Sequence, residues 1–292
     1  MPEPTAPMPI EEAILLGVIQ GLTEFLPISS TAHLLAARTW MKHANPNDAF
    51  TTVIQLGTLI AVLLYFAKDI GRLTLAALRD LPRGKLGSSP DSKLAWLIVL
   101  GTLPVVAVGF ALKKPIKKYF YDIPTMGAVA ILFALLMLAS EVWTARRKLD
   151  LGRVDLGDRD ITLREALWVG LWQCLALMPG ASRSGTTITA GLFAGLSRSA
   201  AARFSFLLSL PAVLGAGLKE LYDERRELLG SQDQAVPLIV ATLVSALVGY
   251  ASIAFLLGFL KRYSMGVFVA YRLILGAVIL GLWWAGRIPE AN

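Results

Sequence analysis

Residues 20–33 read QGLTEFLPISSTAH, and residues 179–187 read PGASRSGTT. Each is a short polar stretch, rich in Ser and Thr, in which a proline interrupts an otherwise apolar segment. Neither flanking segment is long enough, and sufficiently free of polar residues, to cross a bilayer alone. Broken backbone at membrane depth is tolerated only where protein buries it or where it lines a cavity. The two stretches therefore predict two re-entrant helical hairpins, at residues 10–40 and 161–196.

The composition of the chain indicates that its natural solvent is a lipid bilayer. Of its 292 residues 55% are hydrophobic and only 17% are charged, whereas a soluble domain carries about 25% charged residues. Six further apolar runs reach, or nearly reach, the length of about 20 residues that a membrane-spanning helix needs. These runs lie at residues 50–67, 94–112, 124–144, 203–219, 236–260 and 265–286. We predict a single, all-α, polytopic membrane domain with six transmembrane helices and two re-entrant hairpins.

The two hairpin segments resemble each other when the first is shifted by 153 residues. Gly17 then falls on Gly170, Gln20 on Gln173, and Ser29 on Ser182. Three predicted crossings follow the first hairpin, and an odd number of crossings reverses orientation. We therefore predict a first repeat at residues 10–144 and a second, inverted repeat at 161–286. Inverted repeats with broken helices bring their special segments together near the midplane.

The basic residues predict how the chain is oriented. With both termini on one side of the membrane, that side holds 10 Lys and Arg residues and the opposite side holds 16. The positive-inside rule makes the richer side cytoplasmic and puts both termini outside. The net charge of +7 does not indicate nucleic acid as a partner, because the basic residues lie mostly between apolar runs, as expected of juxtamembrane charges.

Glu24 is the first candidate functional residue. It lies in or near the apolar layer, where a carboxylate is costly and is a functional candidate by default. Gln20 precedes it by four residues and therefore shares its helix face. The alternative is a purely structural ion pair between Glu24 and an arginine such as Arg183.

The polar cluster after Pro27 predicts an anion site at the start of a helix. Free N–H groups and the helix dipole favour an anion there, and the Ser29, Ser30 and Thr31 hydroxyls add donors. His33 follows Ser30 by three residues, so the two side chains are expected to face the same way as a nucleophile and its base. The alternatives are an ordinary helix N-cap and a histidine satisfied within the core.

Arg183 is the strongest single signal in the chain. It is always charged, can grip two phosphate oxygens at once, and stands among hydroxyl-bearing residues between apolar runs. An intramembrane arginine without an anion to hold is hard to explain. One carboxylate, one imidazole, one guanidinium and several hydroxyls suit phosphoryl transfer, in which positioning and charge neutralisation supply most of the catalysis.

At these residues the chain resembles the bacitracin-resistance family of undecaprenyl-diphosphate phosphatases. The resemblance is carried by residues 20–33, 179–187, 196–198 and 204–211 and covers essentially the whole chain. It implies hydrolysis of a C55 isoprenoid diphosphate to its monophosphate, which recycles the lipid carrier for peptidoglycan synthesis and confers bacitracin resistance. It also implies a divalent cation, Mg²⁺ or Ca²⁺, and a multi-pass protein of the bacterial inner membrane whose site opens to the outer face.

The resemblance assigns roles by position. Glu24 corresponds to the second acid of a paired motif and is the expected metal ligand, whereas Gln20 stands where some members have Glu and cannot act as an acid or base. Ser30 corresponds to the nucleophile or a phosphate contact, His33 to the acid/base, and Arg183 to the phosphate clamp. The remaining expected substrate-binding hydroxyls are those of Ser29, Thr31, Ser182, Ser184 and Thr187.

Two other classes of function are alternatives to a phosphatase. A transporter or flippase for a lipid phosphate could use the same anion pocket without cleaving a bond, because inverted repeats with broken helices are typical of transporters. A structural scaffold does not account for an intramembrane Glu24 and Arg183. The expected partners are a polyprenyl diphosphate, membrane lipids and a second copy of the chain in a homodimer.

Overall fold

The computed structural model describes residues 8–41, 49–146 and 161–286. Within these ranges the secondary structure is helical and contains no strand, which confirms the predicted all-α class. The helices are α1 (Ile10–Phe25), α2 (Ser30–Trp40), α3 (Ala49–Val53), α4 (Gln55–Tyr65), α5 (Ala67–Asp80), α6 (Pro90–Phe120), α7 (Ile123–Arg146), α8 (Leu163–Leu175), α9 (Arg183–Phe193), α10 (Arg198–Asp223), α11 (Arg225–Leu229), α12 (Gln232–Leu260) and α13 (Gly266–Trp284).

Five helices are long and apolar enough to cross a membrane. They are α6 over Pro90–Leu112 and, along their whole lengths, α7, α10, α12 and α13. These five coincide with the predicted runs that begin at residues 94, 124, 203, 236 and 265. The protein is therefore a multi-pass membrane protein.

The predicted crossing at residues 50–67 has a different form. Ala49–Tyr65 and Ala67–Asp80 pass the test for a span only as a pair, and an 80° bend separates them. The apolar character ends at the bend because α5 carries Lys68, Asp69 and Arg72 in its first two turns. The charges of α5 belong near water. The predicted crossing at residues 50–67 is therefore a bent pair of helices, which makes a sixth span only if the pair crosses the membrane as one unit.

Both predicted helix–break–helix segments are present, and each break contains the proline that the sequence places there. Their re-entrant path, entering and leaving the membrane by one side, stays a prediction. In the first, α1 ends at Phe25 and α2 begins at Ser30; in the second, α8 ends at Leu175 and α9 begins at Arg183. The residue before each second helix has the same unusual backbone, with φ of 75° at Ser29 and 66° at Ser182. Among the described residues these two are the only non-glycine positions with positive φ, a region that L-residues avoid.

The two hairpins pack in corresponding ways. Helix α1 lies along α12 of the second predicted repeat, and α8 lies along α6 of the first. A glycine permits each crossing, because a Cβ on Gly17 would collide with the carbonyl of Ala241 and a Cβ on Gly170 with that of Gly101. This exchange of partners supports the internal repeat, while its boundaries and inverted orientation stay predictions.

The second hairpin lies deeper in the bundle than the first. Helix α9 packs against α7, α8 and α10, and its residues from Ser184 to Leu192 are all buried. On α2 only four residues are buried, and Trp40 at its end is 80% exposed. The site between the hairpins is therefore covered on the α9 side and more open along α2.

The side of the membrane on which each terminus lies stays a prediction. Several basic residues that enter that comparison fall outside the described residues, namely Lys42, Arg147, Lys148, Arg153, Arg159 and Arg287.

Candidate active site

Glu24 is the centre of the polar contacts between the two hairpins. It is 8% exposed, and its carboxylate accepts hydrogen bonds from three side chains. Arg183 Nη2 donates to Oε1 at 2.8 Å, while Ser30 Oγ and Gln20 Nε2 donate to Oε2 at 2.7 and 3.1 Å. The predicted meeting of residues 20–33 and 179–187 is confirmed by the bond between Glu24 and Arg183.

Local helix geometry accounts for these contacts. Gln20 and Glu24 lie one turn apart at the end of α1 and share a face. The break at Pro27 turns the chain back, so Ser30, the first residue of α2, lies beside the last turn of α1. Arg183 holds the corresponding position in the second hairpin, as the first residue of α9, and reaches across to the same carboxylate.

Two buried polar atoms at the site have no hydrogen-bond partner among the described residues. They are Nη1 of Arg183, a donor, and Oε1 of Gln20, an acceptor. Buried polar groups are nearly always satisfied, and an orphan suggests an absent water, ion or ligand. The Glu24–Arg183 ion pair alone leaves Nη1 without an acceptor, so a structural ion pair is not the whole explanation of this arginine.

The two helix N-termini at the site differ in how they are capped. The Ser182 side chain accepts a hydrogen bond from the Gly185 N–H at 3.2 Å and so caps α9. The Ser29 side chain makes no capping bond to α2. The alternative reading of the first cluster as an ordinary serine cap therefore does not hold for Ser29, and the positive end of the α2 dipole is free for an anion.

The remaining predicted hydroxyls hold different positions. Ser184 Oγ donates to the Leu26 carbonyl at 3.1 Å and lies 3.2 Å from Ser182 Oγ, so it helps join the hairpins. Thr187 is fully buried one turn further along α9, where its hydroxyl bonds to Arg183 O and Ser205 Oγ. Thr31 lies in the first turn of α2 and is partly exposed.

His33 has different partners from those that its spacing predicts. Its Nδ1 contacts Ser29 O at 2.7 Å and its Nε2 contacts Tyr271 Oη at 2.6 Å. Both ring nitrogens are thus occupied, and neither is directed at Ser30. Helical spacing does put Ser30 and His33 on related faces, but Ser30 turns toward α1 and His33 toward α13. The carboxylate of Glu24 stands where the sequence predicts the imidazole.

Two residues of α13 contact the hairpins and were not predicted as site residues. Tyr271 stacks on His33, with ring centroids 5.7 Å apart, and Arg272 is completely buried. No sequence pattern singles out Tyr271. Arg272 did carry a signal, because it is an intramembrane ionisable residue of the kind that is costly and usually functional.

Comparison with known proteins places the chain in a family. Residues 13–278 match the family described as "Bacitracin resistance protein BacA". A protein of Prosthecochloris aestuarii named undecaprenyl-diphosphatase is 47% identical over 96% of this chain and 99% of its own length. Proteins of the same name from Chlorobaculum tepidum and Chloroherpeton thalassium are 46% and 47% identical, each also over 96% of this chain and 99% of its own length. The chain therefore belongs to the bacitracin resistance protein family.

Proposed function

We propose that this protein hydrolyses undecaprenyl diphosphate to undecaprenyl phosphate and inorganic phosphate. Its curated relatives are named for this activity and match nearly the full chain. The observation that carries the proposal is the contact of Ser30, Glu24 and Arg183 beside a helix N-terminus, with one buried guanidinium nitrogen left over. The activity would recycle the lipid carrier for cell-wall synthesis and confer bacitracin resistance.

The anionic headgroup binds between the hairpins in this proposal. Arg183 Nη1 and the free N–H groups of the first turn of α2 hold the terminal phosphate, as helix N-termini and guanidinium groups commonly do. We expect the hydroxyls of Ser29, Thr31 and Ser182 to supply further donors. Ser184 is expected to act by joining the hairpins, because its hydroxyl donates to Leu26 O. Thr187 is expected to act indirectly, because its hydroxyl bonds within α9 and to Ser205.

Glu24 activates the attacking group. Its Oε2 lies 2.7 Å from Ser30 Oγ, which is within reach for accepting the hydroxyl proton. Attack of Ser30 on the terminal phosphorus breaks the bond to the bridging oxygen, releases the lipid monophosphate and leaves a phosphoserine that water hydrolyses. Direct attack by a water held in the same place is the alternative. The catalytic role of His33 stays a prediction, and its contacts support a role in orienting the first turn of α2.

A divalent cation, Mg²⁺ or Ca²⁺, fits the oxygen donors at the site. Among the described residues no group of three or more His, Cys, Asp and Glu could hold a metal ion alone. Mg²⁺ is commonly bound by one or two carboxylates together with substrate phosphates. Glu24 and the unpartnered Oε1 of Gln20 are the groups that would hold such an ion. Its chemistry would be to neutralise the diphosphate charge.

The proposed location of the protein rests on its family and on its basic residues. We place it in the bacterial cytoplasmic membrane with its site open to the outer face, as the family resemblance implies. The distribution of basic residues puts both termini outside. The lipid tail would lie along the more exposed side of the site, near α2. The homodimer expected from the sequence stays a prediction that cross-linking in native membranes can test.

Phosphate release from undecaprenyl diphosphate by the purified protein in detergent tests the proposal. We expect release that a chelator abolishes and that added Mg²⁺ or Ca²⁺ restores. A protein that moves the lipid across vesicle membranes without releasing phosphate would instead be a transporter or flippase.

The variant Ser30→Ala tests the nucleophile. We expect it to lose nearly all phosphate release, at least about 100-fold, because a nucleophile has no substitute within reach. A matched control is Ser140→Ala, which removes a buried hydroxyl that bonds only within α7 and should leave the rate unchanged. Full activity of Ser30→Ala would assign the attack to water.

A further inference from the structure

The side chain of Arg272 connects the breaks of both hairpins. From α13, its Nη1 donates to Pro27 O at 3.2 Å and to Ala181 O at 3.0 Å, and its Nη2 donates to Gly180 O at 2.8 Å. Its Nε donates to Ala130 O of α7 at 3.3 Å. One guanidinium therefore touches both breaks and a transmembrane helix that packs against α13.

The hydrogen bonds of Arg272 all go to backbone carbonyls. The residue is 0% exposed, and a charged side chain at membrane depth normally pairs with another charge or with backbone carbonyls. The carbonyls of a broken segment need donors as well, because no following helical turn supplies them. The buried guanidinium of Arg272 therefore gains hydrogen-bond acceptors from the two breaks, and the carbonyls of the breaks gain donors from the guanidinium.

The bonded positions correspond between the two predicted repeats. Pro27 falls on Gly180 at the shift of 153 residues that aligns the hairpins, and each precedes by three residues the first residue of its second helix. Those first residues are Ser30 and Arg183, which meet at Glu24. Because a guanidinium is planar and presents its donors in a fixed fork, it sets the separation of the two carbonyls and hence of the groups that follow them.

We propose that Arg272 is a positioning residue that holds the two hairpin breaks in register, so that Glu24, Ser30 and Arg183 meet with the geometry the reaction needs. The inference rests on the proposed phosphatase function for its kinetic consequence only. Its structural consequence, a fixed distance between the hairpins, can be measured whether or not the protein is a phosphatase.

The distance between the hairpins can be read from two spin labels. Leu22 on α1 and Leu175 on α8 correspond at the same shift and are 45% and 38% exposed, respectively, so labels on cysteines introduced there would point away from the site. The one native cysteine, Cys174, is replaced by Ala in this background. Double electron–electron resonance then gives the distance distribution, and phosphate release gives kcat and KM.

The substitution Arg272→Lys keeps the positive charge but loses the planar set of donors that a guanidinium presents. We expect a broadened distance distribution and a fall in kcat of about 100-fold, the size of effect that a misplacement of about 1 Å produces, with a smaller change in KM. The control Arg198→Lys alters another largely buried arginine, which binds Glu141; it should lower thermal stability but leave the distance distribution and kcat as in the wild type.

A second variant displaces the guanidinium without removing it. A Cβ on Gly185 would lie 3.1 Å from Arg272 Nη1 and 3.3 Å from both Cβ and Oγ of Ser182, so these neighbours must shift by a few tenths of an ångström. Gly185→Ala should therefore broaden the distance distribution and lower kcat, even if Arg272→Lys proves unable to fold. A methyl group that merely blocked substrate would leave the distance distribution unchanged.

Two results would overturn the proposal. One is an unchanged distance distribution in Arg272→Lys or Gly185→Ala, whatever the rate, because Arg272 would then not hold the breaks. The other is a broadened distribution with kcat within about twofold of the wild type, because a positioning role predicts a loss near 100-fold. A wild-type protein that releases no phosphate would reject the proposed function, while the distance measurement would still test the contact.

Discussion

The two hairpins have the same backbone and different chemistry. Both break at a proline, and both place a serine with positive φ, Ser29 or Ser182, before the second helix. At the positions that correspond by sequence, the first hairpin has Glu24 where the second has Leu177, and Ser30 where the second has Arg183. The first hairpin thus contributes the carboxylate and the hydroxyl, and the second contributes the guanidinium.

The comparison shows that the shared backbone of the two hairpins positions the site, while their different side chains give each hairpin a different chemical group. A symmetric pair of hairpins would put two like charges opposite each other, which raises the cost of burying them. Here a carboxylate from one hairpin meets a guanidinium from the other at 2.8 Å. The two hairpins also differ in burial, because α9 is enclosed by other helices while α2 is partly exposed. In the proposed function, the enclosed hairpin supplies the phosphate clamp and the open hairpin supplies the reacting groups.

The largest expected effect is that of Glu24→Gln. This variant removes the group that accepts the Ser30 proton in the proposed reaction, and it leaves Arg183 without its charged partner. We expect kcat/KM for phosphate release to fall by about 1,000-fold, within the range found for a lost general base. The control is Leu177→Met at the corresponding position of the second hairpin, which should retain activity. A Glu24→Gln protein with most of its activity would remove the chemical distinction between the hairpins.

The variant Arg183→Lys should have the next largest effect. A lysine keeps the charge, but its compact ammonium cannot hold Glu24 and a phosphate oxygen in the same planar arrangement. Loss of one charged hydrogen bond corresponds to about 10- to 100-fold in kcat/KM. The matched control is Arg203→Lys, which alters a partly exposed arginine that pairs with Asp69. Equal losses in both variants would indicate a general effect of shortening an arginine in this fold.

The variant Gln20→Glu tests whether a divalent cation binds at Gln20 and Glu24. It puts a second carboxylate beside Glu24 and should lower the Mg²⁺ concentration for half-maximal activity by about three- to tenfold, because ligand charge raises cation affinity. Gln173 corresponds to Gln20 in the second hairpin, and its two buried amide atoms have no partner among the described residues. Gln173→Glu should lower thermal stability without changing the Mg²⁺ requirement. A shifted requirement in both variants would argue against a cation at Gln20.

The smallest expected effect concerns the two serines before the second helices. Ser182→Ala removes the cap of α9 and should lower the free energy of unfolding by about 1 kcal/mol, measured by titration with SDS. Ser29→Ala removes no capping bond and should cost clearly less. Equal losses would mean that the two helix starts are capped alike, which would weaken the case for a free anion site on α2.

Much of the architecture could be predicted from local patterns in the sequence. Apolar runs of suitable length predict spans, and prolines beside small polar residues predict breaks, because both depend on nearby residues only. The bend at Phe66 was harder to predict, since the run at 50–67 carries no charged residue and the charges that end it begin just beyond it at Lys68 and Asp69. The internal similarity at 153 residues led to the expectation that Glu24 and Arg183 meet, which is confirmed.

The sequence by itself determined that this is a helical membrane protein of the bacitracin resistance family, with two broken hairpins and a short set of candidate residues. Only the tertiary structure decided that Ser30 faces Glu24, that His33 faces Tyr271, and that Arg272 joins the two breaks. Helical periodicity specifies which residues share a face. Which neighbour that face meets depends on the packing of helices, some of which are more than 200 residues apart in the chain, and no local pattern encodes that packing.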